Sequence, residues 1–342
     1  MLVTGHTGFK GAWLSLWLQS LGAEVTGVAP GPPTSPSLYQ LARVGEHMRE
    51  LAADVRDAAA VRAALQAARP EVVLHLAAQP VVRRSLRDPV GTYAVNVMGT
   101  VNLLDAVRHA GQEAMAVVVV TSDKCYENTG ERSRRFTEHH PLGGSDPYSS
   151  SKACAELVAA AYRSSFFRSE RSPALATARA GNVVGGGDWG EDRLVPDAVR
   201  AVEAGRSLKV RRPDAVRPWQ HVLSPLGGYL RLAEALSQAG ERAAARAWNF
   251  GPPPGDAQPV SWIVQCLGEL WQGQLRWELD DRPNPPEAGH LALDSSAAEQ
   301  LLGWRPALRL RGALELVVQW HRAQRRGDDM RRVSLAHIAS VG

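Results

Sequence analysis

Short apolar runs alternate with longer segments of helical spacing through the first half of the chain. "MLVTG" and "AEVTGVA" have strand length, "HMRELAADV" leads into a third strand, and "EVVLHLAA" and "VVVVTSD" give two more. Their apolar positions are consecutive rather than alternating, the pattern of strands buried on both faces. Between them, "GAWLSLWLQSLG" carries Trp13, Leu14, Leu16, Trp17, Leu18 and Leu21 at helical spacing, and "AAAVRAALQAARP" predicts a helix stopped by Pro70. "PVGTYAVNVMGTVNLLDAVRHAG" predicts a long helix ending at Gly111, and "SSSKACAELVAAAYRSSFF" another. Strands and helices in this alternation specify an α/β fold, a Rossmann-type doubly wound parallel sheet.

Beyond about residue 180 the rhythm changes to short strands, proline-rich turns and separate helices, as in "RRPDAVRPWQHV", "WNFGPPPGD" and "PVSWIVQCLGELW". The expected organisation is a dinucleotide-binding domain over 1–180, then a smaller irregular α/β domain over 181–322 that is mainly substrate-binding, with some chain crossing back. A tail follows over 323–342. Its segment "RRGDDMRRVSLAHIASVG" is polar and shows no period, so loose order is expected there.

Composition narrows the class without deciding it. Hydrophobic residues at 44% and charged residues at 22% are those of an ordinary soluble protein. The net charge of +4 is spread along the chain, which favours a mildly basic surface over nucleic-acid binding. Cys125, Cys154 and Cys266 form no C-x-x-C pair and no zinc spacing, so free thiols in a reducing compartment, and no metal site, are expected. No run reaches the ~18 apolar residues of a membrane span, and the first residues lack a basic-then-apolar signal pattern. The expected compartment is the cytoplasm.

Two stretches carry chemistry. "TGHTGFKG" places Gly5, Gly8 and Gly11 at three-residue intervals between the first strand and the first helix. Such glycines permit a tight turn, close approach of the backbone to a pyrophosphate, and close packing of helix on strand, while the helix N-terminus offers free N–H groups to phosphate. The end of the second strand, "GVAPGPPTSPS", has neither the acid that favours NAD nor the arginine that favours NADP. Asp54 and Val55, after the third strand, are candidates to hold the adenine, with a turn or helix cap as the alternative for Asp54. In the second stretch, "YSSSK" sets Tyr148 and Lys152 at i and i+4 on one helix face. A phenol with a pKa of about 10 is a poor base at neutral pH unless a nearby ammonium stabilises the phenolate, which Lys152 is placed to do. Ser122, at the end of the valine strand, completes a Ser–Tyr–Lys set, and the strand end then adds a carboxylate and an amine, Asp123 and Lys124.

This combination resembles the extended short-chain dehydrogenase/reductase family. The blocks "LAAQPVVRRS", "NVMGT", "TSDKCY", "DPYSSSK", "RAGNVVGGGDW", "DRLVPD" and "RPWQHV" extend the likeness over roughly residues 1 to 320, to the nucleotide-sugar 4,6-dehydratases and among them those acting on CDP-glucose. The resemblance implies a homodimer joined by helices of the first domain, a tightly bound NAD regenerated in each turnover, and a CDP-glucose substrate. The reaction implied is oxidation at C4, loss of water across C5 and C6, and return of the hydride to C6, in deoxysugar synthesis for surface polysaccharide. By the same match Asp123 is the general acid and Lys124 the base at C5. The implied cofactor contacts are Gly5, Thr7, Gly8, Phe9, Lys10, Gly11, Asp54, Val55, Leu76, Ala77, Ala78 and Thr121, with Tyr148 and Lys152. The candidate substrate contacts are Gln79, Ser85, Asn96, Asn182, Arg193, Arg217 and His221, with a loop or helix-cap role as the alternative for Gln79, Ser85 and Asn96 and a structural role as the alternative for His221; Trp189 or Trp219 is placed to stack on the pyrimidine or to pack in the core.

Physical conditions attach to the acid and the base. Asp123 must have its pKa raised by desolvation, and Lys124 must be lowered by burial or by Lys152. An ordinary Asp123–Lys124 ion pair would leave both ionised in the wrong sense. An epimerase or reductase of the same fold, a dehydratase for another nucleotide-activated glucose, and a non-catalytic dinucleotide sensor are the competing readings. The first has no need of the added acid and base, and intact Ser122, Tyr148 and Lys152 disfavour the last.

Overall fold

The computed structural model describes residues 1–111, 115–131, 134–238, 242–282 and 289–341. Its centre is a sheet of seven parallel strands: β1 (Leu2–Thr4), β2 (Thr26–Ala29), β3 (Arg49–Ala52), β4 (Val72–His75), β5 (Ala116–Val120), β6 (Ala174–Ala180) and β7 (Ala247–Phe250). The spatial order is 3-2-1-4-5-6-7. β1 pairs with β2 through Leu2 and Thr26 and with β4 through Leu2 and Val73, so the chain reverses direction of travel at β1 and β4. In such sheets ligands bind outside the carboxyl ends of the strands at this reversal.

The valine run shows why consecutive apolar residues were needed. Ala116, Val118 and Val120 of β5 enter the core on one face of the sheet, and Val117 and Val119 enter the core on the other. The first face is covered by α1 (Phe9–Ser20) and by a helix from the second half. The second is covered by α2 (Ala58–Ala68), α3 (Gly99–Arg108) and α4 (Pro147–Ser165). The expected long helix over 89–111 is broken into a short α turn (Pro89–Tyr93), a π turn (Ala94–Met98) and α3. The π turn carries buried Asn96, whose side chain reaches both the loop after β4 and α4.

The second half builds a smaller lobe from α5 (Leu194–Glu203), short two-stranded pairings, α7 (Val260–Leu270) and α8 (Leu310–Arg326), packed around Val195, Val199, Leu208, Val210, Ile263, Leu267, Leu314 and Val317. The chain also returns to the central sheet. α6 (Leu223–Ser237) packs on the first face, and β7 joins β6 in register Ala247 to Thr177.

The loosely ordered tail is corrected by the structure. Its residues form the end of α8 and then α9 (Met330–Ala339), capped by Asp329, which accepts the N–H groups of Arg331 and Arg332. Met330, Ser334, His337 and Ile338 are buried, and the His337 ring stacks on Trp13 of α1 at 6.3 Å between centroids. α1 is apolar nearly all round, with Trp13, Leu14, Leu16, Trp17 and Leu18 all buried, and a sheet covers only one side of a helix. α9 covers part of the remainder. Polar Ser334 and His337 among its buried positions diluted the period that would have announced it.

Candidate active site

The glycine loop joins β1 to α1 as the spacing predicts. Gly5 has φ +74°, and a Cβ there would lie 2.8 Å from Ala77, in the loop after β4, so the two loops of the reversal point touch. A Cβ on Gly11 would collide with the Gly5 carbonyl at 2.1 Å. Gly8 caps α1 without any side-chain bond, and no acidic residue occupies the first turn, leaving its N–H groups for an anion. The Thr7 hydroxyl donates to the Gly31 carbonyl at 2.7 Å and ties the loop to the end of β2. Phe9 lies against Gly185, Leu76, Ala77 and Ala78 are half-buried along the groove, and Val55 is buried against Gly99. This backbone cradle fits a dinucleotide pyrophosphate.

Three of the implied cofactor contacts carry qualifications. Both carboxylate oxygens of Asp54 are taken by Arg56, at 2.7 and 3.0 Å, making it a turn residue. The Thr121 hydroxyl is committed to Glu156. Lys10 lies within electrostatic reach of Arg193, Asp123 and Lys152; burial pushes its ammonium down to about 8, with the two cations acting the same way and Asp123 opposing.

At the carboxyl end of β5 the chain tightens into a single turn, Asp123–Cys125, capped by the Ser122 hydroxyl, which accepts the Lys124 N–H at 3.2 Å. The turn carries Ser122, Asp123 and Lys124 off the end of the strand. Opposite them, Asp146 caps α4 and Pro147 starts it, which sets Tyr148 in the first turn and Lys152 one turn on. Ser122 donates to Asp123 Oδ1 at 3.0 Å, while Oδ2 is buried and has no hydrogen-bond partner. A Cβ on Gly181 would lie 2.9 Å from that oxygen and 2.5 Å from Pro218, so Asp123 faces the seam between β6 and the second lobe. Lys124 Nζ lies 5.8 Å from the centre of the Tyr148 ring. Among the described residues no ion pair joins Asp123 to Lys124.

Burial raises the Asp123 carboxyl above its ordinary value, with Lys124, Ser122, Arg217 and Lys10 pulling the other way. A protonated carboxyl in a closed site is the state an acid catalyst requires. In the free protein burial pushes the Tyr148 phenol up to about 12, opposed by the Ser122 hydroxyl. The Lys152 ammonium donates to the Val120 carbonyl at 3.3 Å, and burial brings it down to about 8 against the pull of Glu156.

The implied substrate contacts divide into two groups. Gln79, Ser85 and Asn96 take the loop and helix-cap alternative and support the Tyr148 helix. The Gln79 amide donates to Val81 and Thr92, the Asn96 amide to Gln79 and Ser151, and Ser85 donates to Val82 while accepting the Tyr148 N–H at 3.1 Å. Their donors are spent inside the protein. His221 takes the structural alternative: it is fully buried, edge-on to Trp13, and burial holds its ring down to about 3. Trp219 is core, donating to the Gln258 carbonyl, and Trp189 packs on Trp320 and His321. Asn182, Arg193 and Arg217 do border the seam. Asn182 follows β6, Arg193 caps α5 and pairs with Asp188 at 3.0 Å, and Arg217 acts electrostatically on Asp123. Sequence reasoning missed the buried Glu156–Arg179 pair at 2.7 Å beneath the site; Glu156 at i+4 from Lys152 was the available signal.

The model of the family described as GDP-mannose 4,6 dehydratase matches residues 2–249, which span the glycine loop, the Ser122–Lys124 turn and Tyr148. The chain belongs to that family. It is 48% identical over 334 residues to a CDP-glucose 4,6-dehydratase of Salmonella typhimurium, covering 96% of this chain and 92% of the other. A dTDP-glucose 4,6-dehydratase of Streptomyces griseus is 30% identical over 336 residues, covering 95% of this chain and 94% of the other. Among solved structures, a dTDP-glucose 4,6-dehydratase from Streptomyces venezuelae with NAD bound superposes with a TM-score of 0.78 at 26% identity, covering 96% of this chain and 99% of that one. A UDP-glucose 4-epimerase from Thermotoga maritima gives a TM-score of 0.81 at 22% identity, covering 94% and 98%, a likeness of fold. The chain is thus an enzyme of the extended short-chain dehydrogenase/reductase family, as its motifs implied.

Proposed function

We propose that this enzyme removes water from CDP-glucose to give CDP-4-keto-6-deoxyglucose, using NAD. The single observation that carries the reading is Asp123: a buried carboxyl, raised by desolvation, with one oxygen unpartnered at the seam and Lys124 beside it. An epimerase needs no such acid. The CDP-glucose assignment is supported by the relative at 48% identity.

NAD, when bound at the glycine cradle, supplies the acceptor for the hydride leaving C4 and its donor to C6. The residues of the chain move the protons. Tyr148, with Ser122 against it, takes the proton of the C4 hydroxyl as the ketone forms. Its raised pKa in the free protein means that this transfer belongs to the complex with both ligands present. The ketone acidifies the C5 proton, which Lys124 removes, while Asp123 protonates the departing C6 hydroxyl to release water. Once the hydride has reached C6, the proton on Lys124 returns to C5, and Tyr148 and Asp123 exchange protons with solvent to reset. Arg193 and Arg217 are placed for the substrate diphosphate, and a guanidinium suits that role through its paired donors. In this reading the first-half sheet, residues 1–180, holds the dinucleotide and the lobe of residues 181–322 holds the sugar nucleotide.

We also assign a homodimer, the cytoplasm and a role in deoxysugar supply for surface polysaccharide to the same reading. Exposed Val90 and Met98 beside α4, with Leu157 of α4 itself at 58% exposure, support the dimer. Among the described residues no helix is long and apolar enough to cross a membrane.

Incubation with CDP-glucose, NAD and purified protein should yield the 4-keto-6-deoxy product, detected by its alkaline ultraviolet absorbance, without net NAD reduction. Turnover of dTDP- or UDP-glucose with none of CDP-glucose would refute the nucleotide assignment.

A further inference from the structure

α4 carries three functional side chains at successive turns: Tyr148, Lys152 and Glu156. Glu156 is buried, at 2% exposure of its side chain. One of its oxygens accepts the hydroxyl of Thr121, the residue before Ser122; the other accepts the Thr177 hydroxyl and the Arg179 guanidinium, both at 2.7 Å. Arg179 in turn donates to the Tyr126 hydroxyl at 2.8 Å, just past the Asp123–Cys125 turn, and Tyr126 donates to Asn249 of β7. One carboxylate therefore ties α4 to the ends of β5 and β6 and, through Arg179, to the far side of the catalytic turn. A buried ion pair is poor evidence for stability alone, because a well-packed apolar pair of similar volume often does as well. Its place beneath the catalytic set calls for another account.

We propose that Glu156 is a positioning residue for the dehydration: through Thr121 it fixes the strand end that presents Ser122, Asp123 and Lys124, and it sets a carboxylate one helical turn beyond Lys152. This rests on the dehydratase reading above. The groups around Lys152 make Glu156 the decisive one. On α4 they are Tyr148 and Glu156; from the turn after β5 comes Cys125; from β4, His75; from the glycine loop, Lys10; and from β6, Arg179 behind Glu156. His75 is neutral, with its ring held down to about 3 by burial, and Lys10 and Arg179 are cationic. Glu156 is the leading influence that opposes the burial of Lys152.

The test compares Glu156→Gln, Glu156→Asp and the double variant Glu156→Gln/Arg179→Met with wild type, across pH, in CDP-glucose dehydration at saturating substrate and NAD. Wild type must first make the 4-keto product; if it does not, the dehydratase reading falls, and the separate claim about Glu156 is judged by NMR titration of Lys152 in the same four proteins. With wild type active, the alkaline limb of the Glu156→Gln profile should move to lower pH by about one unit, so that activity near pH 6 is largely kept while activity near pH 8 falls about fivefold. Glu156→Asp should keep the limb in place. If the lone guanidinium left in Glu156→Gln prevents folding, the double variant carries the test and should show the limb displaced in the same direction by a smaller amount, because the Arg179 charge is removed as well. Activity lowered equally at every pH in the double variant, or Lys152 titrating as in wild type, would overturn the proposal.

Discussion

Replacing Asp123 by asparagine separates the two halves of the reaction. The side chain keeps its shape and its contact with Ser122, but it no longer carries a proton to donate from the open oxygen. A positioned general acid contributes about 10²- to 10⁴-fold, or about 2.7 to 5.5 kcal/mol of barrier. Hydride removal from C4 draws on Tyr148 and Lys152 rather than Asp123. The Asp123→Asn enzyme should therefore oxidise bound CDP-glucose near the wild-type rate and then stall. Stopped-flow absorbance of reduced nicotinamide should rise and persist, with 4-keto-6-deoxy product slowed about 100-fold or more. Stability should move the other way. Because burial raises this carboxyl in the folded protein, the folded state keeps its proton where the unfolded chain has lost it. Stability thus falls as pH climbs from the ordinary carboxyl range through the raised folded value, by about 1.4 kcal/mol for each tenfold change in the ionisation constant. Asparagine cannot ionise, so the variant should melt above wild type at neutral pH, with the gap closing toward about pH 4. Dehydration within tenfold of wild type, or equal loss of the hydride step, would refute the reasoning.

Lys124→Ala should likewise spare hydride transfer, but unlike Asp123→Asn it should also abolish exchange of the C5 proton with deuterated solvent; equal loss of both steps would leave Lys124 a purely structural part. Buried His75 and His221 are held down to about 3, against about 6.5 in an unfolded chain, so stability is full above that value and is lost as pH falls from it toward 3. His221→Gln should flatten the fall in melting temperature between about pH 7 and pH 4.5, and an unchanged fall would contradict the assignment. Val90→Asp, at a site 78% exposed, should convert a dimer to a monomer in sedimentation velocity; a monomeric wild type, or a variant of unchanged mass, would remove the proposed interface.

The central sheet and the Ser–Asp–Lys turn at the end of β5 were legible because their signals are local. The valine run of β5 sets side chains on both faces by a period of two, and glycines at three-residue spacing have few structural uses between a strand and a helix. What escaped depends on contacts distant in sequence. α9 is amphipathic only if Ser334 and His337 count as buried, and nothing local says that Trp13 will receive His337. Gln79, Ser85 and Asn96 sit in blocks near the crevice, yet whether an amide faces a ligand or its own scaffold is decided by partners on another helix. The burial that raises the Tyr148 phenol in the free protein, and the Val120 carbonyl that receives the Lys152 ammonium, are likewise set by the fold and not by the i, i+4 spacing.

The most direct test of the central claim follows a label at C4 of the hexose. CDP-glucose carrying deuterium at C4, incubated with the enzyme and NAD in ordinary water, should give a 4-keto-6-deoxy product with the deuterium in its C6 methyl group. Deuterium retained at C4 of an inverted sugar, or lost to a free pool of reduced NAD, would contradict the account of oxidation, elimination and hydride return at one site.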